Sequence, residues 1–294
     1  MGLTTVAPLN EPCRMFLDSF APSEILKDIV GCYMHIESGA GETQWQKDVQ
    51  MPAGLSCIGF TYGDRTKYEA GSGGLRKIPA CAILGQHDVP YTIFYKSYRK
   101  EFLIILKPAG LYKLLKSNIG ELKNEMTDAS ASILSSADTI ADQLSCAADI
   151  YERIAIVEKW LLKILSRNFS KTGLTDYILE EILSRKGILS ISKLAEELKI
   201  NKKQIERLLI EQLGLSPKKF AEIVRFNYLN KLLLNTPCPD MKDLVYLGDF
   251  YDQAHLNKHI AKITGVSPGK YIQFLHASEV ARFNHLHTIA GEEA

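Results

Sequence analysis

Lys203 and Arg207 lie four residues apart in the segment "KKQIER", with Lys202 and Gln204 beside them. On a helix, residues i and i+4 share a face, so two cations would stand together on one outer surface. Such a pair can clamp phosphate, and an arginine can also reach guanine O6 and N7 in the major groove. Further on, "DQAHLNK" offers Gln253, His255, Asn257 and Lys258. Gln and Asn carry the paired donor and acceptor that an adenine edge requires, and Lys258 suits a phosphate. The bland alternative for every one of these is a solvated helix face. His255 and His259 are also spaced i, i+4, a separation that can hold metal on a helix. No third ligand stands near them in the sequence, and no metal or other cofactor is expected.

These side chains need helices to hold them. "SISKLAEELKI" (190–200) has Ile191, Leu194, Ala195 and Leu198 on one face, and Ser190 or Ser192 can cap it. Asn201 is a good N-cap for a second helix over 202–213, with Ile205, Leu208, Leu209 and Leu213 facing inward. Gly214 supplies the stop. Two short helices joined by a tight turn make a helix-turn-helix.

The same pattern recurs. "GLSPKKF" (214–220) returns as "GVSPGKY" (265–271), 51 residues later. Before it, Met241, Leu244, Val245 and Leu247 make a first helix and "GDF" turns. A second helix then runs from about Asp252 with Leu256, Ile260 and Ile263 inward. In each copy Gly closes the exposed helix with φ > 0. Ser caps the next helix, and Pro sits at its first position, where no N–H is missed. The helix after the first copy, 217–235, would be about 28 Å long at ~1.5 Å per residue. It can space two reading heads by about one turn of duplex, ~34 Å.

The rest of the chain bounds the setting. It has 294 residues, 46% hydrophobic and 23% charged, and a net charge of +1. Two or three domains are expected from that length. Residues 174–275 carry 15 Lys and Arg against 12 Asp and Glu, so the small positive excess sits at the C-terminal end. Six scattered cysteines with no CxxC spacing read as free thiols of a reducing compartment. The N-terminus lacks a secretory pattern, and no apolar run is long enough to span a membrane. A cytoplasmic location is the expectation. No nucleophile elbow, phosphate loop, zinc signature or paired-carboxylate motif is present, so an enzyme is not expected.

Residues 14–106 are rich in short apolar runs broken by Gly and Pro. "LSCIGFTYG" (55–63), "IPACAILG" (78–85), "YTIFYKSY" (91–98) and "EFLIILKP" (101–108) read as strands. "SEILKDIVGCYMHIE" (23–37) is equally readable as helix or strand. The whole stretch 110–165 reads as helices, with Ile140, Leu144, Ala148, Ile154, Val157 and Leu161 on one stripe. Trp45, Arg65, His87 and Tyr91, with Tyr62 and Tyr95, could line an effector pocket, though aromatics in a β-rich domain are more often core. The expected fold is α+β. Residues 1–166 form a small β-rich, barrel-like domain with trailing helices, and 167–176 a linker. Residues 177–280 form an all-α domain of two helix-turn-helix units, and 281–294 a tail.

Residues 189–275 resemble the DNA-binding domain of AraC/XylS-type transcription regulators. Arg225, Leu232 and Leu233 match its linker helix. Leu244, Val245, Phe250, Leu256, Ile260, Gly265, Ser267, Pro268 and Tyr271 match its second signature. The family usually has "GF" in the second turn; here "GDF" puts Asp249 before the Phe. Residues 14–166 more faintly resemble the uncharacterised sensor domain that precedes such modules in many bacterial regulators. "PAG" (52–54), Gly85 and "FLIILKPAGLYKLL" (102–115) carry that likeness. The resemblance implies sequence-specific binding to double-stranded DNA, tuned by a small-molecule effector or by pairing of two copies. RNA polymerase is a further expected partner, and no membrane is. The competing readings are an enzyme with an appended DNA-binding module and a helical protein-interaction module.

Overall fold

A computed structural model describes residues 15–38, 45–64, 66–71, 73–96, 98–130, 136–167, 173–235 and 241–277. Arg65, the middle of the expected linker and the tail lie outside them.

The described residues of the N-terminal part form ten strands: β1 Met15–Phe20, β2 Val30–Ser38, β3 Gln46–Gln50, β4 Ser56–Thr61, β5 Lys67–Ala70, β6 Arg76–Lys77, β7 Cys81–Leu84, β8 Tyr91–Tyr95, β9 Lys100–Leu106 and β10 Met126–Asp128. One antiparallel sheet has the order β1-β2-β9-β4-β7-β10, the other β3-β8-β5-β6. They form two sheets, not one closed barrel. The helices that follow are α1 Gly110–Leu115, α2 Ala137–Cys146 and α3 Ile150–Arg167, with a 3-10 helix at Ile119–Leu122.

The central strands of the larger sheet are covered on both faces. Tyr33, Ile58, Phe60, Phe102 and Ile104 point to the helices and pack with Leu111, Leu144, Val157, Trp160 and Leu161. Met34, Ile36, Cys57, Leu103 and Ile105 point the other way, toward the smaller sheet. Two-sided burial is why "SCIGF" and "FLIIL" read as unbroken apolar runs rather than as alternation. The ambiguous segment 23–37 resolves into a turn followed by β2.

The expected run of helices over 110–165 is interrupted twice. Residues 126–128 leave it to pair as β10 with the edge strand β7. Three residues carry no periodicity, so only backbone pairing defines them. The long helical stretch also breaks at Ala147. There Arg153 donates to the carbonyls of Leu144 and Ala147, satisfying the orphaned end of α2. Ile140, Leu144, Val157 and Leu161 are buried as expected, while Ala148 is exposed and Ala147 is buried in its place.

The C-terminal part is all helical: α4 Leu174–Ser184, α5 Ile191–Glu197, α6 Lys202–Leu213, α7 Pro217–Asn235, α8 Met241–Leu247, α9 Gln253–Thr264 and α10 Pro268–Ala277. It has two cores strung along α7. Phe220, Ile223 and Val224 close the first with Ile178, Ile182, Leu194, Ile205 and Leu209. Phe226, Leu229 and Leu233 close the second with Leu244, Leu256, Ile260 and Tyr271. The helix is therefore a shared wall of both units. Its buried Asn230 accepts from the Tyr271 hydroxyl, 3.0 Å away, which ties α10 to it.

Candidate nucleic-acid interface and the cavity behind it

In the first unit the Asn201 side chain accepts from the Lys203 N–H at 2.9 Å and starts α6. Gly214 ends it at φ +91°, and Ile205, Leu209 and Leu213 are fully buried. That fixes the rotation of the helix. Lys202, Lys203, Gln204 and Arg207 are all exposed on the opposite side.

The second unit repeats the arrangement. Asp252 accepts from the His255 N–H at 2.7 Å and starts α9; Gly265 ends it at φ +73°. Leu256, Ile260 and Ile263 are buried. Gln253, His255 and Lys258 are exposed and Asn257 is half-buried, its Oδ1 without a partner among the described residues. His259 turns inward, packed 5.2 Å from the Phe250 ring. Burial, and then the nearby Arg225 cation, lower its pKa from the usual imidazole value to about 4.

The two turns are built alike despite their sequences. Lys199 (φ +54°) in the first and Asp249 (φ +52°) in the second take the left-handed position. Asp is among the side chains that visit it most readily. The Gly of "GDF" is needed one step earlier: a Cβ on Gly248 would lie 2.6 Å from the Phe250 ring and 2.8 Å from the Leu244 carbonyl. Arg225 reaches across from α7, donating Nε–H to the Gly248 carbonyl and Nη2–H to that of Asp249. Its guanidinium lies 3.6 Å from the centre of the Phe250 ring. The second turn is also one residue longer. Asn201 follows Ile200 directly, whereas Tyr251 separates Phe250 from Asp252. Tyr251 is 93% exposed and Tyr246 84%. No sequence pattern singles out either tyrosine; the extra residue in the second turn is the available signal.

The far end of α6 is docked on the N-terminal domain. A Cβ on Gly120, in the 3-10 helix, would lie 2.9 Å from the Ile210 carbonyl. A Lys113–Asp176 pair at 2.8 Å joins α1 to α4. A second contact involves "PAG": the buried Asn227 of α7 donates to the Ala53 carbonyl at 3.1 Å, and Met51 packs against the second core. Gln86 donates to the neighbouring Gly54 carbonyl.

Between the two sheets lies a cavity of about 160 Å³. Met34, Ile36, Leu103 and Ile105 line one side and Val49, Tyr91 and Ile93 the other, and Met51 and Ala53 form part of its wall. Arg99, only 3% exposed, lines it too. Its two terminal nitrogens are taken by Asp48 (3.1 Å) and Glu101 (2.9 Å). Burial pushes the Asp48 carboxyl above its usual range even with Arg99 alongside. The Arg99 Nε and the Ser56 hydroxyl are buried with no partner among the described residues.

Of the residues expected at an effector site, Tyr91 lines this cavity and His87 packs against the Tyr91 ring at a 45° tilt, ring centres 4.4 Å apart. His87 is itself tied to the Gly85 carbonyl. Trp45 is elsewhere, half exposed and flanked by the ammonium groups of Lys67 and Lys96 at 4.6 and 5.4 Å. Tyr62 lies against the helical side of the sheet. The Arg99–Glu101 pair was missed. Its signal was two opposite charges at i, i+2, hence on one strand face, at the start of an apolar strand.

Residues 194–273 match the model of a helix-turn-helix domain, and residues 18–128 that of a domain of unknown function (DUF6597). No curated protein matches. Among solved structures, ToxT from Vibrio cholerae strain SCE256 with an unsaturated fatty acid bound is 14% identical. The match covers 80% of this chain and 97% of that one, with a TM-score of 0.44. The C-terminal domain of AraT, a response regulator from Geobacillus stearothermophilus, is 21% identical over 35% of this chain and 86% of that one, with a TM-score of 0.33. The AraC-like transcriptional activator CuxR is 14% identical over 73% and 86%, also with a TM-score of 0.33. The C-terminal part of the protein is an AraC-type helix-turn-helix domain, carried behind an N-terminal domain of unknown function.

Proposed function

We propose that this protein is a sequence-specific DNA-binding transcription regulator in which α6 and α9 enter successive major grooves. The observation that carries this is the pairing of two like-built units on one helix, α7. Each has its apolar side locked inward and its polar side exposed. Lys202, Lys203, Gln204 and Arg207 form the first reading surface; Gln253, His255, Asn257 and Lys258 form the second. Arg207 and the amides supply base contacts, and the lysines supply phosphate contacts. Asp249 is exposed but sits at the turn, ahead of that surface. The domain type points to a regulator rather than an enzyme. The division into residues 1–166 and 177–280, with a linker between, belongs to the same reading.

The N-terminal cavity is the site where a small molecule would modulate binding. The segment 51–54 is both its wall and a contact with α7, through Asn227 and Met51. An occupant that moves this segment changes the balance between arrangements of the two units. Pairing of two copies and contact with RNA polymerase are further expectations that rest on the domain type.

The test is salt-dependent binding to a duplex selected from a random pool. Lys203→Ala with Arg207→Ala should weaken specific binding and flatten the dependence on salt by about two charges. Unchanged affinity and slope would remove α6 from the interface. Absence of any salt-sensitive binding by the unaltered chain would favour a protein-interaction module.

A further inference from the structure

We infer that the cavity between the sheets takes a small, largely apolar and uncharged ligand carrying a hydrogen-bond acceptor, and that it discriminates against carboxylates. This deepens, and rests on, the reading of the cavity as the effector site.

Size and wall composition give the first half. At about 160 Å³ and lined mainly by aliphatic side chains, it resembles apolar cavities of ~150 Å³ that take up benzene. The polar end gives the second half. A buried arginine on a cavity wall ordinarily invites a carboxylate, which it grips with paired terminal nitrogens. Here both terminal nitrogens are already held, one by Asp48 and one by Glu101. One guanidinium against two carboxylates leaves no positive charge to spare, even with burial raising the Asp48 carboxyl. The other ionisable groups on the wall, Cys57 and Tyr91, are held neutral because burial raises both. An anion would shed water on entering an apolar-lined space and meet no free cation there.

What two buried polar groups on the wall lack is a partner. Arg99 Nε is a donor only, and it is buried without a partner among the described residues; the Ser56 hydroxyl, which can donate or accept, is buried without one too. Burying a donor unpaired is costly, and a ligand carbonyl or ether oxygen would relieve it.

The test uses the full chain and three eight-carbon probes: acetophenone, ethylbenzene and phenylacetate. Affinity is read by calorimetry and by the rise in Tm with probe concentration. Acetophenone should bind at least about tenfold more tightly than phenylacetate, and about fivefold more tightly than ethylbenzene. Glu101→Gln removes one carboxylate and should narrow the gap between acetophenone and phenylacetate; Asp48→Asn serves if that variant does not fold. Ala82→Leu, on the cavity wall, should weaken all three probes. Phenylacetate binding as tightly as acetophenone, or a gap indifferent to both carboxylate variants, would overturn the inference while leaving the cavity as a site. Failure of all three probes to bind would overturn the cavity as a site of this chemistry altogether.

Discussion

Arg225→Ala should loosen the second reading head without touching DNA. The guanidinium makes two hydrogen bonds to the turn carbonyls of Gly248 and Asp249 and stacks on Phe250. Each such bond to a charged donor is worth about 1.5–3 kcal/mol where desolvated, and the stacking about 1 kcal/mol. Arg225 is only half-buried, and the Asp249 carbonyl lies at an exposed turn. Water recovers part of what is lost, so a net cost of about 2–3 kcal/mol is expected. It should fall on the second core, which holds Phe250, rather than the first, which is closed by the other half of α7. Urea denaturation of the variant measures the stability loss. Footprinting measures its location: protection over the half-site read by α9 should weaken first, while that of α6 persists. Arg225→Lys should restore little, because a single ammonium cannot span both carbonyls and stack. A loss under about 0.5 kcal/mol with both half-sites fully protected would refute the claim that this arginine holds the turn.

Other expectations can be checked in the same preparations. His259 has its folded pKa lowered from 6.5 to about 4, so below pH 6.5 the unfolded chain binds the extra proton and stability falls. The loss accumulates between about pH 6.5 and 4, reaches about 3 kcal/mol, and should be largely absent in His259→Leu when denaturation is followed against pH. Gly248→Ala forces a methyl against the Phe250 ring and the Leu244 carbonyl and should cost about 1–3 kcal/mol by thermal denaturation. Asn227→Leu removes the bond to the Ala53 carbonyl and should cost about 1 kcal/mol, while cutting the effect of a cavity ligand on DNA affinity. Equal ligand effects in both proteins would disprove that route.

The C-terminal domain was legible because its signals are local. Ser190, Asn201 and Asp252 cap the helices they precede, and Gly214 and Gly265 end theirs at positive φ. Each is written within four residues of its effect. The role of Arg225 was legible only as a matching position, since its partners lie 23 and 24 residues away. In the N-terminal domain the strands showed as apolar runs, but their order did not. β9 sits between β2 and β4 through pairings that no short window contains. For the same reason Arg99, Asp48 and Glu101 could not be seen to meet, and Trp45 and Tyr91 looked like equal candidates although only Tyr91 reaches the cavity. The strand β10 left no trace because three residues at a sheet edge need no pattern of their own.

The most direct test of the account is a footprint on an operator selected from random duplex with the full chain. Two protected major-groove segments about 10 base pairs apart are expected on one face of the DNA. Lys203→Ala with Arg207→Ala should uncover one of them, and Gln253→Ala with Lys258→Ala the other. A single protected segment lost equally with either pair of substitutions would contradict two reading heads on one α7 wall.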